Sequence, residues 1–174
     1  FSLEDGLALV AARGRLIQQL PAGAMLAVSL SETDLEPYLA PDRSNLSLAA
    51  LNTPTLSVIS GPAEAIHQVQ KRLAQQDITC RRLHTSHAFH SAMVDPILQP
   101  FLERVAQIFL QPPQIPFVSN VTGSWIRDHE ATDPAYWGRH LRQTVRFSAS
   151  LNTIWQNSYT LLLEVGPGQT LSTF

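Results

Sequence analysis

The sequence predicts an α/β fold. Stretches with helical spacing of apolar residues alternate with short apolar stretches rich in β-branched residues. Between residues 24 and 85 the predicted order is strand, helix, strand, strand, helix, strand. A length of 174 residues with 44% hydrophobic side chains is enough to bury a sizeable core, in one domain or in two small ones.

The first predicted element is a helix that begins after Ser2. Ser2 is a favourable N-cap, and Glu4 and Asp5 place negative charge in the first turn. Pro21 and Gly23 mark the end of this region. The apolar residues at helical spacing are Leu3, Leu7, Val10, Ala11 and Leu16.

The pattern of residues 24–85 predicts a small separate subdomain. Its predicted elements are a strand at 24–30, a helix at 31–39, strands at 46–51 and 56–59, a helix at 62–76 and a strand at 78–83. This order is that of the ferredoxin-like βαββαβ motif, a common scaffold that indicates no function by itself.

The rest of the chain predicts a second, larger layer. Its predicted elements are a helix over 93–108, a strand at 115–119, helices at 133–141 and 147–157, a buried parallel strand at 159–165 and a final helix after Gly166–Gly168. Residues 1–23 and 86–174 are therefore expected to form part of a hydrolase-like parallel α/β domain that carries residues 24–85 as an insertion. Both ends of the chain lie in apolar helical patterns, which predicts a larger parent protein.

Composition and charge exclude several classes of protein. A net charge of −2 and a pI near 6.3 argue against a nucleic-acid-binding surface. There is no apolar run long enough to span a membrane, so no membrane partner is expected. Cys80 is the only cysteine, which excludes an internal disulfide and predicts a reducing, cytoplasmic location.

Three of the six histidines, His84, His87 and His90, fall within seven residues. Their spacing does not suit a helical metal pair, and one cysteine cannot complete a site, so no metal or cofactor is predicted. A loop that presents one imidazole beside Phe89 suits general acid–base chemistry on a nucleophile held elsewhere. A structural histidine is the alternative interpretation.

The string H-A-F-H-S at 87–91 resembles the acyltransferase domain of modular polyketide synthases and, more broadly, malonyl-CoA:acyl-carrier-protein transacylases. The similarity covers essentially the whole chain. The segments that carry it, in order, are 9–16, 50–54, 58–62, 87–91, 116–123, 136–137, 140–147 and 164–168.

This resemblance implies ping-pong transfer of malonyl from malonyl-CoA to the phosphopantetheine thiol of an acyl carrier protein. A serine in a G-H-S-x-G turn would be the nucleophile, and no bound cofactor would be needed. The sequence contains no G-x-S-x-G. In the family this serine, and a glutamine of the oxyanion hole, lie upstream of the segment that matches Phe1. The chain alone is therefore expected to be inactive and to work beside neighbouring synthase domains.

The resemblance also implies roles for three histidines. His90 corresponds to the base that activates the serine. His140 occupies the position whose backbone carbonyl orients that imidazole, much as aspartate does in a triad. His87 is expected to form a wall beside the substrate.

Three further residues are implied to bind substrate. Arg13 corresponds to the clamp for the free carboxylate of malonyl, although an arginine near the end of a helix also offsets the helix dipole. Phe89 is expected to exclude an α-methyl group, worth about 1–3 kcal/mol, or simply to pack in the core. Asn52 is expected to face the pantetheine channel or to form a turn.

Two other functions stay open at this point. One is an editing acyltransferase that releases the acyl group to water, which would not need a carboxylate clamp at Arg13. The other is a non-catalytic ferredoxin-like binding module, in which the histidine loop would have no evident purpose.

Overall fold

The computed structural model describes residues 1–156 and 161–174. Its helices are α1 (Leu3–Gln18), α2 (Glu32–Leu39), α3 (Ala63–Ala74), α4 (Asp95–Val105), α5 (Asp128–Ala131), α6 (Pro134–Arg142) and α7 (Phe147–Trp155). Its strands are β1 (Ala24–Val28), β2 (Ser47–Thr53), β3 (Leu56–Gly61) and β4 (Cys80–Arg82). None of the helices in the described ranges combines the length and the apolar character needed to cross a membrane.

The four strands form one antiparallel sheet in the order β2-β3-β1-β4. The elements within residues 24–85 follow the predicted order, with ends that coincide with the predicted ones or differ by one or two residues. Helices α2 and α3 pack against one face of the sheet, and Ser31 caps α2 through a hydrogen bond of 3.1 Å from the Asp34 amide. The largest buried side chains of this core are Leu26, Leu35, Leu39, Ile59, Ile66 and Leu73.

A second core lies among helices α1, α4 and α6. Its buried side chains are Leu9, Ile17, Val94, Ile97, Phe101, Val105 and Leu141. Helix α4 begins at Asp95 rather than at residue 93, because a 3-10 turn (Ala92–Val94) precedes it and Pro96 lies in its first turn. This core supports one side of the histidine loop.

Helix α1 has the predicted N-cap, Ser2, but buries a different face. Leu9 and Ile17 are its buried residues, whereas Leu3, Leu7 and Val10 are largely exposed. The first part of the predicted apolar stripe, Leu3 to Ala11, therefore lies on a largely exposed face, whereas Leu16 packs against the second core.

The two strands predicted for the larger layer do not form in the described residues. Val118 makes only an isolated bridge with Trp125, so the strand expected at 115–119 is wrong. Residues 161–165 have no regular structure and are mostly exposed, and positions 159 and 160 lie outside the described residues. A buried strand needs a neighbouring strand for its backbone hydrogen bonds, and none lies beside these segments in the described ranges.

Two short elements differ from the predictions. Helix α5 was not predicted, and the expected final helix is only a 3-10 turn, Leu171–Thr173. Helix α7 ends at Trp155, and residue 157 of the predicted helix lies outside the described residues.

Candidate active site

Arg13, His90 and His140 lie in one cleft of about 610 Å³. Arg13 comes from α1, His140 from α6, and His90 from the loop that joins the sheet to α4. The cleft walls are largely apolar, and their main residues are Leu7, Val10, Phe101, Trp137, Leu141 and Val145. Tertiary structure thus brings together three residues that the sequence assigned to one site.

His90 occupies a strained turn. Its φ is +55°, in the left-handed region that costs a residue with a side chain about 1–2 kcal/mol. The turn is held from both sides: the Ser91 hydroxyl donates to the Ala88 carbonyl at 2.7 Å, and the Gly23 amide donates to the Ser86 carbonyl at 3.0 Å. Strain of this kind is characteristic of residues whose side-chain direction matters for function.

The environment of His90 disfavours its protonated form. The pKa of His90 is lowered to about 4, mainly by the loss of solvent on burial and also by the nearby His140 and Arg13, while the backbone of Gln143 opposes the change. The buried Nδ1 atom makes no well-formed hydrogen bond within the described residues, so the Gln143 contact is a weak one. At neutral pH the ring is uncharged and able to accept a proton.

The backbone of Gln143 lies near His90, just beyond the end of α6 at Arg142. The role expected for the His140 carbonyl, to orient the His90 imidazole, stays a prediction. The side chain of His140 lines the cleft, where partial desolvation and the charge of Arg13 lower its pKa.

Arg13 is half-buried, and burial lowers the pKa of its guanidinium. Within the described ranges it forms no ion pair, whereas Arg43, Arg139 and Arg142 each pair with a carboxylate. A partly desolvated guanidinium that lacks a carboxylate partner is well suited to bind the carboxylate of a ligand.

Comparison with known proteins shows the family of the chain. Residues 1–173 match the model of the acyl transferase domain. The chain belongs to this acyltransferase family. Among curated proteins it is 38% identical, over 99% of its length, to a phenolphthiocerol/phthiocerol polyketide synthase protein of Mycobacterium tuberculosis. It is 40% identical, again over 99%, to a spectinabilin polyketide synthase protein of Streptomyces orinoci.

Solved structures give the same result. The acyltransferase domain from the second module of the salinomycin polyketide synthase matches 99% of the chain with a TM-score of 0.93 and 38% identity. A malonyl-CoA–acyl carrier protein transacylase from Burkholderia pseudomallei matches 99% with a TM-score of 0.87 and 30% identity. The chain spans 40% and 61% of these two structures, and 11% and 8% of the two curated synthases.

Three other predicted residues of this acyltransferase chain lie outside the cleft walls. Phe89 is half-buried and packs against both the helical core and the far face of the sheet. His87 is 8% exposed, lies 6.4 Å from the Phe89 ring and has its Nδ1 atom 2.8 Å from the Ser86 hydroxyl. Asn52 is half-buried on β2.

Asn120 is a cleft residue that sequence reasoning did not identify. Its carbonyl accepts a hydrogen bond of 2.8 Å from the Arg146 amide, and its Oδ1 accepts one of 3.3 Å from the Ser150 hydroxyl. The string at 116–123 contained it, but an uncharged amide in a loop gives no chemical signal of its own. Across the described residues no group of three or more side chains is placed to bind a metal ion.

Proposed function

We propose that this chain is part of a polyketide synthase acyltransferase domain that moves malonyl from malonyl-CoA to the phosphopantetheine thiol of an acyl carrier protein. The observation that carries the proposal is that His90 and Arg13 line one cleft. The first is a neutral imidazole at pH 7, and the second is a guanidinium without an ion-pair partner among the described residues. Together they provide a base for a nucleophile and a cation for the substrate carboxylate.

In the proposed first half-reaction, a serine outside this chain attacks the thioester carbonyl of malonyl-CoA. His90 accepts the hydroxyl proton as the new C–O bond forms. The C–S bond then breaks, and the imidazolium returns the proton to the departing CoA thiolate. In the second half-reaction the carrier-protein thiol attacks the acyl-serine, His90 takes the thiol proton, and the serine oxygen recovers it as the C–O bond breaks.

Arg13 is proposed to bind the free carboxylate of malonyl throughout both half-reactions. The apolar walls around it strengthen this contact, because a charged pair interacts more strongly away from water. An acetyl group has no such carboxylate, so Arg13 would favour malonyl over acetyl.

Phe89 is proposed to limit the size of the α-substituent. Its ring is adjacent to His90 in the chain and fixed between two cores, which supports an indirect role in shaping the space beside the base. His87 would hold this ring from behind, and Asn52 would face the pantetheine arm. A single methyl group contributes about 1–3 kcal/mol, so Phe89 would bias the choice of substrate without fixing it.

The antiparallel strand order supports the proposal that residues 24–85 are a ferredoxin-like subdomain. Residues 1–23 and 86–174 would then belong to a larger hydrolase-like domain that also holds the serine. The exposed apolar face of α1, formed by Leu3, Leu7 and Val10, supports packing against such additional structure. We propose that the isolated chain is inactive, and that the reaction takes place in the cytoplasm with neighbouring synthase domains.

A labelling experiment tests the proposed function. A longer polypeptide that adds the upstream segment with the expected serine would be incubated with radiolabelled malonyl-CoA, methylmalonyl-CoA or acetyl-CoA. We expect stable malonyl labelling, slowed at least about 100-fold in His90→Ala. The preference for malonyl over acetyl should disappear in Arg13→Ala and persist in the matched control Arg15→Ala, whose side chain is exposed on the same helix.

Other labelling results would favour one of the alternative functions or change the role of Phe89. Rapid turnover of malonyl-CoA to free malonate would replace the transferase by an acyl-hydrolysing enzyme. A folded polypeptide that acquires no label from any of the three thioesters would contradict an acyltransferase function and favour a binding module. Preferred labelling by methylmalonyl-CoA would overturn only the role of Phe89.

A further inference from the structure

The active-site cleft contains an uncharged polar side chain, Asn120, that the proposed mechanism does not use. Of the described residues that line the cleft, only Arg13 carries a charged side chain, and most of the others are apolar. Ligand sites typically combine apolar walls with a few fixed polar groups that set the orientation of the ligand. The position of Asn120 is that of such a group.

The backbone around Asn120 is held by hydrogen bonds on both sides. The Asn120 carbonyl accepts from the Arg146 amide at 2.8 Å, just before α7. The neighbouring Ser119 is fully buried, and its hydroxyl oxygen accepts from the Tyr136 hydroxyl at 2.8 Å and from the Val121 amide at 3.1 Å. The backbone of Asn120 is thus fixed relative to α6 and α7 before a ligand binds, as a precise binding site requires.

The side-chain amide of Asn120 has one end engaged and one end free. Its Oδ1 accepts from the buried Ser150 hydroxyl at 3.3 Å, and the Arg146 carbonyl shares that hydroxyl at 3.0 Å. This contact assigns the orientation of the amide. Within the described residues the Nδ2 atom has no hydrogen-bond partner, and it does not belong to the buried polar atoms that lack one. The Nδ2 group is therefore accessible to a molecule in the cleft that Asn120 lines.

Other uncharged donors of the cleft wall are already used within the protein. The Ser2 hydroxyl donates to the Asp5 carboxylate at 2.9 Å, where it caps α1. The Trp137 indole nitrogen donates to the Ala131 carbonyl at 3.1 Å. Apart from the two imidazoles, the Asn120 amide is thus the uncharged side-chain donor that the described part of the cleft wall leaves free.

A carboxylate in this cleft needs more donors than one guanidinium supplies. A carboxylate offers about four acceptor sites, and a bidentate contact with Arg13 occupies two of them. Apolar walls supply no donor for the remaining sites, and leaving an acceptor of a charged group unfilled costs binding free energy. An amide N–H adds a donor without placing a second positive charge beside Arg13 and His90.

We propose that Asn120 is a substrate-binding residue: its Nδ2 group donates a hydrogen bond to the carboxylate of an acidic acyl group whose charge Arg13 neutralises. The assignment rests on the proposed function, because it takes a malonyl group as the ligand of the cleft. It divides the recognition of the carboxylate between a cation and a neutral amide. A neutral acyl group such as acetyl gains nothing from either residue.

Nuclear magnetic resonance of the side-chain N–H groups tests the proposal in the chain itself. The probe is monomethyl malonate, which has one carboxylate and one ester in place of the thioester, and dimethyl malonate is its neutral counterpart. Asn120→Asp identifies the Asn120 amide signals by their loss. Asn120→Leu removes the donor without adding a charge and keeps a side chain of similar size. Asn152→Leu, at an exposed position of α7, is the matched control.

We expect monomethyl malonate to shift the Asn120 amide signals saturably, in step with the Arg13 guanidinium signals, and dimethyl malonate to shift neither. Asn120→Leu should raise the Kd for monomethyl malonate about fivefold or more, as for loss of a hydrogen bond to a charged group. Asn152→Leu should leave the Kd unchanged.

Three results would overturn the proposal. One is that monomethyl malonate shifts no signal of the wild-type chain, and another is that it shifts Arg13 but not Asn120. The third is a wild-type Kd in folded Asn120→Leu. If Asn120→Leu does not fold, Asn120→Asp retains the shape and the acceptor for Ser150, and a wild-type Kd in that variant would overturn the proposal equally.

The extended polypeptide that carries the serine separates this proposal from the proposed function. There Asn120→Leu should lower kcat/KM for malonyl-CoA about fivefold or more and leave that for acetyl-CoA unchanged. Equal losses for the two thioesters would contradict a contact with the carboxylate. If monomethyl malonate shifts Asn120 in the chain but the extended polypeptide acquires no label, the proposed function is rejected and the carboxylate-binding role of Asn120 stands.

Discussion

The hydroxyl of Ser91 donates a hydrogen bond of 2.7 Å to the carbonyl of Ala88, and this bond encloses the strained residue His90. Both partners are buried. The bond closes the turn in which His90 adopts a positive φ, and it therefore fixes the direction in which the imidazole leaves the backbone. The catalytic geometry proposed for His90 depends on this local bond as well as on the cleft around it.

Ser91→Ala should release the turn. Loss of the hydroxyl leaves the buried Ala88 carbonyl without this donor, at a cost of about 1–3 kcal/mol in the free energy of unfolding. Urea denaturation measures the loss, and imidazole NMR should report a changed environment for His90. Ser57→Ala is the matched control, because Ser57 is fully buried and donates at 2.8 Å to the Leu30 carbonyl in the other core. It should lose similar stability without altering His90. Identical His90 signals in wild type and Ser91→Ala would contradict this role.

Substitution by alanine should have opposite effects on stability at Gly23 and at Gly14. A Cβ at Gly23 would lie 2.7 Å from both the Cβ and the amide nitrogen of Ala88, so Gly23→Ala must displace the histidine loop. We expect a loss of roughly 1–3 kcal/mol, as for other overpacked sites. A Cβ at Gly14, in the middle of α1, meets nothing within 4 Å. Gly14→Ala should therefore increase stability by about 1 kcal/mol. Thermal and urea denaturation of the two variants measure both effects, and a stable Gly23→Ala would show that the loop yields easily.

Stability should fall as the pH decreases from about 6.5 towards 4. The pKa of His90 is lowered to about 4 in the folded chain, below its ordinary value of 6.5. Between these values the unfolded chain binds a proton that the folded chain does not, so acid favours unfolding by up to about 3 kcal/mol. Solvent at the open cleft reduces this figure.

His90→Gln should weaken that pH dependence, measured as the free energy of unfolding in urea at several pH values. His140, whose pKa is also lowered, should retain part of it. His129→Gln, at an exposed position, controls for the loss of an imidazole elsewhere. Equal slopes for wild type and His90→Gln between pH 6.5 and 4 would rule out a neutral, buried His90.

Arg13→Gln should raise the pKa of both His140 and His90. The positive charge of Arg13 disfavours a second positive charge on either ring, so its removal eases protonation. Titration of the imidazole nitrogens by NMR measures the two values. Arg15→Gln removes the same charge from an exposed position of α1 and should have a much smaller effect. Equal effects of the two variants would place Arg13 outside the site.

Local signals in the sequence were reliable where a structural feature depends on neighbouring residues. Ser2 caps the helix that follows it, as predicted, because a cap is a bond between a side chain and an amide three residues ahead. The order of elements in residues 24–85 was also predicted, because the spacing of apolar residues is a local property of each element. The strand expected at 115–119 failed because a strand depends on a partner that its own residues do not supply.

The resemblance identified residues of the candidate site but not the backbone around them. It identified His90 and Arg13, and both line the cleft. It also identified the segment at 140–147, in which α6 ends at Arg142 and the backbone of Gln143 is extended near His90. The point at which a helix ends depends on packing and capping, which a short motif does not specify.

The sequence alone therefore determined the acyltransferase family, the cap of the first helix and the residues proposed as base and cation, since these depend on residue types and on order along the chain. Tertiary structure decided that Asn120 lines the cleft, that Phe89 lies between two cores and that β2 forms hydrogen bonds with both Ala92 and Thr144. These relationships join residues distant in sequence. Packing and hydrogen bonds between separate elements fix them, and no local pattern of residues encodes those distances.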